Sequence, residues 1–213
     1  MRDRPQRWEL VSHALAFFAC ALLGWFGVAE ARSIPLLTQA TYGFHEVGHL
    51  LGAVLPETGR VLAGPVFQIL VPLVVAAYLL VFHRFLAGAS IMLAWAATAA
   101  QEAALYIADA PHQTIVLGST HPHHDWAILL GPGGMDRLEA AGALAGIVET
   151  MATVLIVAGL ATAAWGVVRI FLERDKTTAA GAYLQRRPSQ ATEGFGAVDQ
   201  AAGPDPAPLG YHR

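Results

Sequence analysis

The sequence has few charged residues and almost no cysteine. Of its 213 residues, 14% are charged and 55% are hydrophobic, whereas ordinary soluble domains carry about 25% charged residues. The single cysteine, Cys20, excludes a disulfide framework and a cysteine-based zinc site. The formal net charge is −3 and there is no long basic stretch, so the chain lacks the electrostatic signature of a nucleic-acid-binding protein. The composition therefore favours a membrane protein.

Long apolar runs occupy most of the chain. Taking about 20 apolar residues as one crossing, we predict helices at roughly 11–29, 34–55, 64–82, 86–108 and 136–172. The first run follows several arginines, as a secretory signal does, but it is long and further spans follow at once, so we interpret it as a retained helix. The predicted fold is an all-α integral membrane protein, a bundle of about five transmembrane helices with one of them a candidate re-entrant segment.

The chain divides by composition into two parts. Residues 1–172 form the predicted membrane-embedded domain, and residues 173–213 are a polar tail that we expect to be disordered. Arg2, Arg4 and Arg7 predict a cytoplasmic N-terminus by the positive-inside rule. Five crossings would then export the tail, although the tail is basic too, so the topology stays open. The default membrane for so compact a chain is the bacterial inner membrane, and the oligomeric state is not indicated.

One motif with a chemical meaning stands in the second predicted helix. His45 and His49 are four residues apart and share one helix face, with about 5–6 Å between their Cβ atoms, which suits two imidazoles on one metal ion. Glu46 follows His45 directly, as the general base does in zinc peptidases with a His-Glu-x-x-His motif. If the helix begins near Ser33, His45 lies about 18 Å along it, inside a hydrocarbon core about 30 Å thick. Ionisable residues at that depth are functional by default.

A zinc centre needs a third protein ligand and an open position for water. The polar insert between the last two predicted helices contains the sequence His-Pro-His-His-Asp-Trp at 121–126. We expect Asp125 to be the third ligand, with His124 as the alternative. His112 and His121 are weaker candidates.

Other polar residues lie inside the predicted membrane helices. Gln68, just after a Gly-Pro pair, is a candidate for binding the substrate backbone, although a hydrogen bond between helices explains it equally well. Gln101, Glu102 and Glu149 are interpreted as joining helices or lining a wet cavity.

Together these residues resemble the site-2 protease class of intramembrane zinc metallopeptidases. The similarity rests on Phe-His-Glu-x-Gly-His at 44–49, on Gly-Pro-x-x-Gln at 64–68, and on a downstream aspartate, Asp125. Two departures stand out. The family usually takes its third ligand from an Asp-Gly motif, whereas Asp125 follows two histidines, and Gln68 stands where the family usually has asparagine.

The resemblance implies a function and a ligand set. One Zn²⁺ per chain would be bound by His45, His49 and Asp125, and Glu46 would act as the general base in hydrolysing a peptide bond. The implied partners are membrane lipid and a transmembrane or membrane-anchored protein substrate, without nucleic acid. The short region 56–63 would form a small hairpin whose edge could pair with the unwound substrate.

Two other classes of function remain open from the sequence. A di-iron membrane oxidase also uses histidine clusters, but it needs about eight histidines in several boxes, and the whole chain has 9. A non-enzymatic protein that binds or transports metal, or a peptidase-like scaffold without activity, would also place His and Glu inside helices.

Overall fold

The computed structural model describes residues 3–115 and 124–186, and all regular structure in these ranges is helical. The six α-helices are α1 (Asp3–Leu23), α2 (Pro35–Leu51), α3 (Glu57–Val81), α4 (Leu86–Ala108), α5 (Asp125–Leu130) and α6 (Ala141–Arg186). A π-helical segment, Gly24–Ala29, continues α1, and short 3₁₀ turns follow α2 and precede α6. The prediction of an all-α fold is confirmed.

Among the described residues, four helices are long and apolar enough to cross a membrane, where about five were predicted. The candidate spans are Arg7–Ala29, Glu57–Val81, Leu86–Ala108 and Leu138–Ala180. The helix with the two-histidine motif, α2, has 17 residues, about 25 Å at 1.5 Å per residue, and is not among these spans.

The outer surfaces of these helices are apolar. Large side chains such as Phe18 on α1 (62% exposed), Val81 on α3 (68%) and Ile147 on α6 (66%) are largely exposed. A water-soluble monomer rarely exposes so many large apolar groups. The apolar surfaces and the four long helices together indicate a multi-pass membrane protein.

Helix α1 runs antiparallel to α6. A Cβ atom at Gly166 of α6 would lie 2.3 Å from Nδ1 of His13, and one at Gly24 would lie 2.8 Å from Cγ1 of Ile156. The start of α1 thus packs beside the later part of α6, which places Arg7 and Arg169 towards the same end of the bundle.

The segment before the third predicted helix is helical. The prediction of a small hairpin at 56–63 is wrong, because α3 begins at Glu57, with Pro56 as its N-cap residue and an acidic side chain in its first turn. The acidic side chain favours the start of a helix, where free N–H groups attract negative charge. Residues 57–63 therefore offer no strand edge for a substrate.

The last helix is longer than predicted. It continues past residue 172 to Arg186, since this part is rich in good helix formers such as Glu, Arg, Lys and Ala. The hydroxyls of Thr177 and Thr178 donate to the carbonyl of Arg174 at 2.8 and 3.0 Å. The remainder of the predicted tail, 187–213, lies outside the described residues. All residues of the site discussed below belong to the compact unit Met1–Phe171.

Helix α4 is the most deeply buried of the candidate spans. In its most apolar stretch of 18 residues, 61% of the residues are buried. Small residues make this possible, because alanine side chains let neighbouring helices approach closely. Cys20 of α1 donates to the carbonyl of Ser90 at 3.3 Å. On another side, the carbonyl of Ala99 accepts a hydrogen bond from α3. Helix α4 therefore supports the elements that carry the candidate site.

Candidate metal centre

The two-histidine motif lies where α2 packs on α3. Thr38, Thr41, His45 and Gly48 are buried at a spacing of three or four residues, which defines one face of α2. A Cβ atom at Gly48 would lie 2.4 Å from the carbonyl oxygen of Ala63. The two backbones are thus nearly in contact, and the motif histidines point at α3.

His45, His49 and Asp125 converge on one point. Nε2 of His45 lies 3.0 Å from Nε2 of His49 and 2.9 Å from Oδ2 of Asp125. Nε2 of His49 lies 3.3 Å from the same carboxylate oxygen. His45 is buried and the other two side chains are partly buried, and the three could together hold a metal ion.

The other nitrogen of each imidazole has its own acceptor. Nδ1 of His45 lies 2.9 Å from Oε1 of Gln68, whose amide nitrogen donates to the carbonyl of Ala99 at 3.1 Å. Nδ1 of His49 lies 3.0 Å from the carbonyl oxygen of Arg60. Because a carbonyl can only accept, each Nδ1 carries the proton in the neutral ring, and each Nε2 presents a lone pair. Such outer hydrogen bonds orient metal-binding histidines.

The donor set fits a metal cation. With both Nδ1 protons committed elsewhere, two nitrogen lone pairs and a carboxylate oxygen face one another at 2.9 to 3.3 Å. Three acceptors this close repel unless a cation lies between them. Tetrahedral ligands about 2.0–2.1 Å from zinc would stand about 3.3 Å apart. The group therefore could hold a metal ion, and the separations of its ligand atoms are close to those expected around one cation.

Short helix α5 holds Asp125 in place. The residue is the first of the helix, and its backbone N–H donates to the hydroxyl of Tyr106 at 3.2 Å. Burial raises the pKa of Asp125, but when Nε2 of His45 and of His49 carries a proton, contacts with the two imidazoles outweigh burial and lower the pKa to about 2. The side chain is therefore a carboxylate at neutral pH, the form that binds metal.

His124, the alternative third ligand, lies outside the group of converging ligands. It is the N-cap of α5, and its Nδ1 accepts from the backbone N–H of Ala127 at 3.3 Å. Its ring stacks on Tyr106 with a centroid separation of 3.9 Å, and its Nε2 is 3.4 Å from Oδ2 of Asp109. Burial raises the pKa of Asp109, yet hydrogen bonds from Thr114 and Ile115 outweigh it and lower the pKa. His124 thus fixes the start of α5 between an aromatic ring and a carboxylate.

The other predicted residues take different places. Glu46 is exposed on α2 and belongs to no metal-binding group of the described residues. Gln68 is buried and bonded at both ends of its amide, so it supports His45 from behind instead of offering a free amide to a substrate. His112 is exposed in the turn after α4. His121 lies outside the described residues.

Several residues of the site carry no obvious sequence signal. The carbonyls of Arg60 and Ala99 are backbone groups and are invisible to any motif. Tyr106 contributes through the phenol that meets α5, although it reads in sequence as one more apolar residue of α4. Gly64 stands in the Gly-Pro pair that the sequence singles out, but only the packing reveals what it faces.

Gly64 leaves the space that the imidazoles occupy. A Cβ atom there would lie 2.5 Å from Nε2 of His49 and 2.9 Å from Nε2 of His45. We expect Gly64→Ala to weaken zinc binding at least about tenfold, in the range caused by loss of supporting contacts. The measurement is competition for zinc against a chromophoric chelator in detergent.

The matched control is Gly43→Ala on α2, where a Cβ atom would meet nothing within 4 Å. Alanine favours a helix over glycine by about 1 kcal/mol, so this variant should keep its zinc affinity and gain slightly in stability. Equal zinc affinities for the two variants would contradict the proximity of Gly64 to the site.

A scan of the chain against protein-family models, curated proteins and solved structures finds no match.

Proposed function

We propose that the protein is an intramembrane zinc metallopeptidase that hydrolyses a peptide bond of a membrane-protein substrate. The observation that carries the proposal is the convergence of His45, His49 and Asp125, with their lone pairs aimed at one point inside a helical membrane bundle. The His-Glu-x-x-His order, and the resemblance to site-2 proteases that it brings, extend this from metal binding to hydrolysis.

Different residues of the chain bind the metal, orient its ligands and transfer the proton. His45, His49 and Asp125 would hold the metal, and Gln68 and the Arg60 carbonyl orient the two imidazoles. A zinc ion there would lower the pKa of a bound water and polarise the scissile carbonyl. The carboxylate of Glu46 takes a proton from the attacking water as the new C–O bond forms, and gives it to the amide nitrogen as the C–N bond breaks.

The side of α2 that carries Glu46 is open to a substrate. Glu46 and Val47 are exposed there, Leu50 is 73% exposed, and nothing lies within 4 Å of a Cβ atom built at Gly43. A substrate helix must unwind locally before its amides can react, because intact helical amides are bonded internally. An open, mostly apolar face beside the general base suits such a segment.

We place the protein in a cell membrane with Arg7 and Arg169 on the cytoplasmic side, as the positive-inside rule predicts. The antiparallel packing of α1 and α6 supports a common side for the two residues. The bacterial inner membrane is the default location, and the partners are lipid and a transmembrane or membrane-anchored protein.

Metal removal tests the proposal. In proteoliposomes with a set of transmembrane reporter peptides, we expect cleavage that falls to background on treatment with 1,10-phenanthroline and returns with about one equivalent of Zn²⁺. One equivalent of Zn²⁺ should suffice because the three converging side chains supply ligands for a single ion. Cleavage that persists in the metal-free protein would contradict the proposal.

One observation favours a second candidate. Because Glu46 is exposed and stands outside the ligand group, the site could hold a metal without hydrolysing anything, as a metal-binding scaffold or carrier would. A di-iron oxidase has less support, since the described residues contain one candidate metal group and such a site needs ligands for two ions.

A further inference from the structure

A second polar feature adjoins the metal centre. A cavity of about 120 Å³ has a mostly apolar lining into which six polar residues are set: Ser33, Thr38, Tyr42, Gln68, Glu102 and Tyr106. Gln68 and Tyr106 are shared with the centre, since the first bonds to His45 and the second to the backbone of Asp125. The cavity extends from there towards the start of α2 and the end of α4.

Glu102 gives this cavity its chemical character. One carboxylate oxygen accepts from the hydroxyl of Thr38, whereas Oε2 is buried and has no hydrogen-bond partner among the described residues. A buried carboxylate oxygen without a donor is costly, especially inside a membrane helix. A hydrogen-bond donor from outside the described residues would satisfy this oxygen.

The rest of the lining favours a positively charged donor. None of the described lining residues is Lys, Arg or His, so the described lining supplies no cation for the Glu102 carboxyl group. The hydroxyls of Ser33, Tyr42 and Tyr106 can accept further hydrogen bonds, and an ammonium group has three to donate. The volume is enough for the end of a long side chain or for a chain terminus.

We propose that this cavity is a substrate subsite for an alkylammonium group, a lysine side chain or a free amino terminus, close to the scissile bond. The inference rests on the proposed peptidase function. Seven residues of α2 separate Thr38 from His45, about 10 Å along the helix. An extended substrate covers that distance in about three residues, so the ammonium group lies within about three residues of the cleaved bond.

Binding of synthetic peptides to the Glu46→Gln protein tests the subsite without depending on cleavage. The probes are transmembrane peptides with one lysine, the same peptides with norleucine, and both sets with free or acetylated amino termini. We expect norleucine to weaken binding at least about tenfold, as loss of a buried charged hydrogen bond does. The preference should fall below about threefold when Glu102→Gln is added. Loss on acetylation instead would assign the subsite to a chain terminus.

The Glu102→Gln variant keeps a hydrogen-bond acceptor for Thr38. Its zinc content shows whether it is folded. Glu149→Gln, which changes an exposed carboxylate on α6, is the matched control and should retain the preference. An equal preference with and without Glu102, or a second zinc ion that only Glu102→Gln removes, would overturn the subsite. If lysine-dependent binding is present but the wild-type protein cleaves no peptide, the subsite stands and the proposed function fails.

Discussion

Replacing Glu46 with glutamine is expected to lower peptide cleavage by a factor of about 10² to 10⁴, the usual contribution of a general base. Glutamine has nearly the same shape but cannot take the proton from the attacking water. Because Glu46 is outside the ligand group, the variant should keep about one zinc per chain. The measurement is the single-turnover rate in proteoliposomes, with zinc determined in the same samples.

The control for this experiment is Glu57→Gln, which alters an acidic residue in the first turn of α3 and should leave the rate unchanged. Wild-type cleavage by Glu46→Gln would show that the base lies elsewhere. Absence of cleavage in the wild-type protein, with zinc bound, would instead favour the metal-binding scaffold.

The second large effect is expected on zinc affinity when the third ligand, either Asp125 or His124, is replaced. Asp125→Ala removes a carboxylate that lies 2.9 and 3.3 Å from the two imidazole nitrogens. We expect zinc affinity to fall by more than about 100-fold, beyond the 10–100-fold typical of supporting residues. Competition against a chromophoric chelator measures the change.

Variants of the neighbouring histidine separate capping from ligation. Since His124 accepts the N–H of Ala127 as the N-cap of α5, His124→Asn should hold zinc within about threefold of wild type, because asparagine is a good cap. His124→Ala should lose about fivefold, equivalent to a cap worth about 1 kcal/mol. Loss of zinc in the asparagine variant, with retention in Asp125→Ala, would make His124 the ligand.

Local sequence signals predict much of this architecture. The bounds of α4 follow from its apolar run, and the pairing of His45 with His49 follows from helical periodicity alone. The number of crossings was not predicted correctly. Helix α2 and its flanking residues are apolar enough to be counted as a membrane span, although the helix has only 17 residues.

The surroundings of the histidines could not be predicted in the same way. The approach of α2 to α3 depends on Gly48 lying on the backbone of Ala63, a contact that no spacing within one helix encodes. The same holds for Gln68, whose bonds to His45 and to α4 require three helices to be in place. The cavity beside Glu102 likewise exists only once α2 and α4 are packed.

X-ray absorption at the zinc edge of the purified wild-type protein shows whether His45 and His49 bind zinc. We predict about one zinc per chain, bound by nitrogen and oxygen atoms at about 2.0–2.2 Å, with the scattering pattern of two imidazoles and no sulfur. Loss of the imidazole signal in His45→Ala would assign it to this site. Two iron atoms per chain, or zinc without imidazole ligands, would contradict the account.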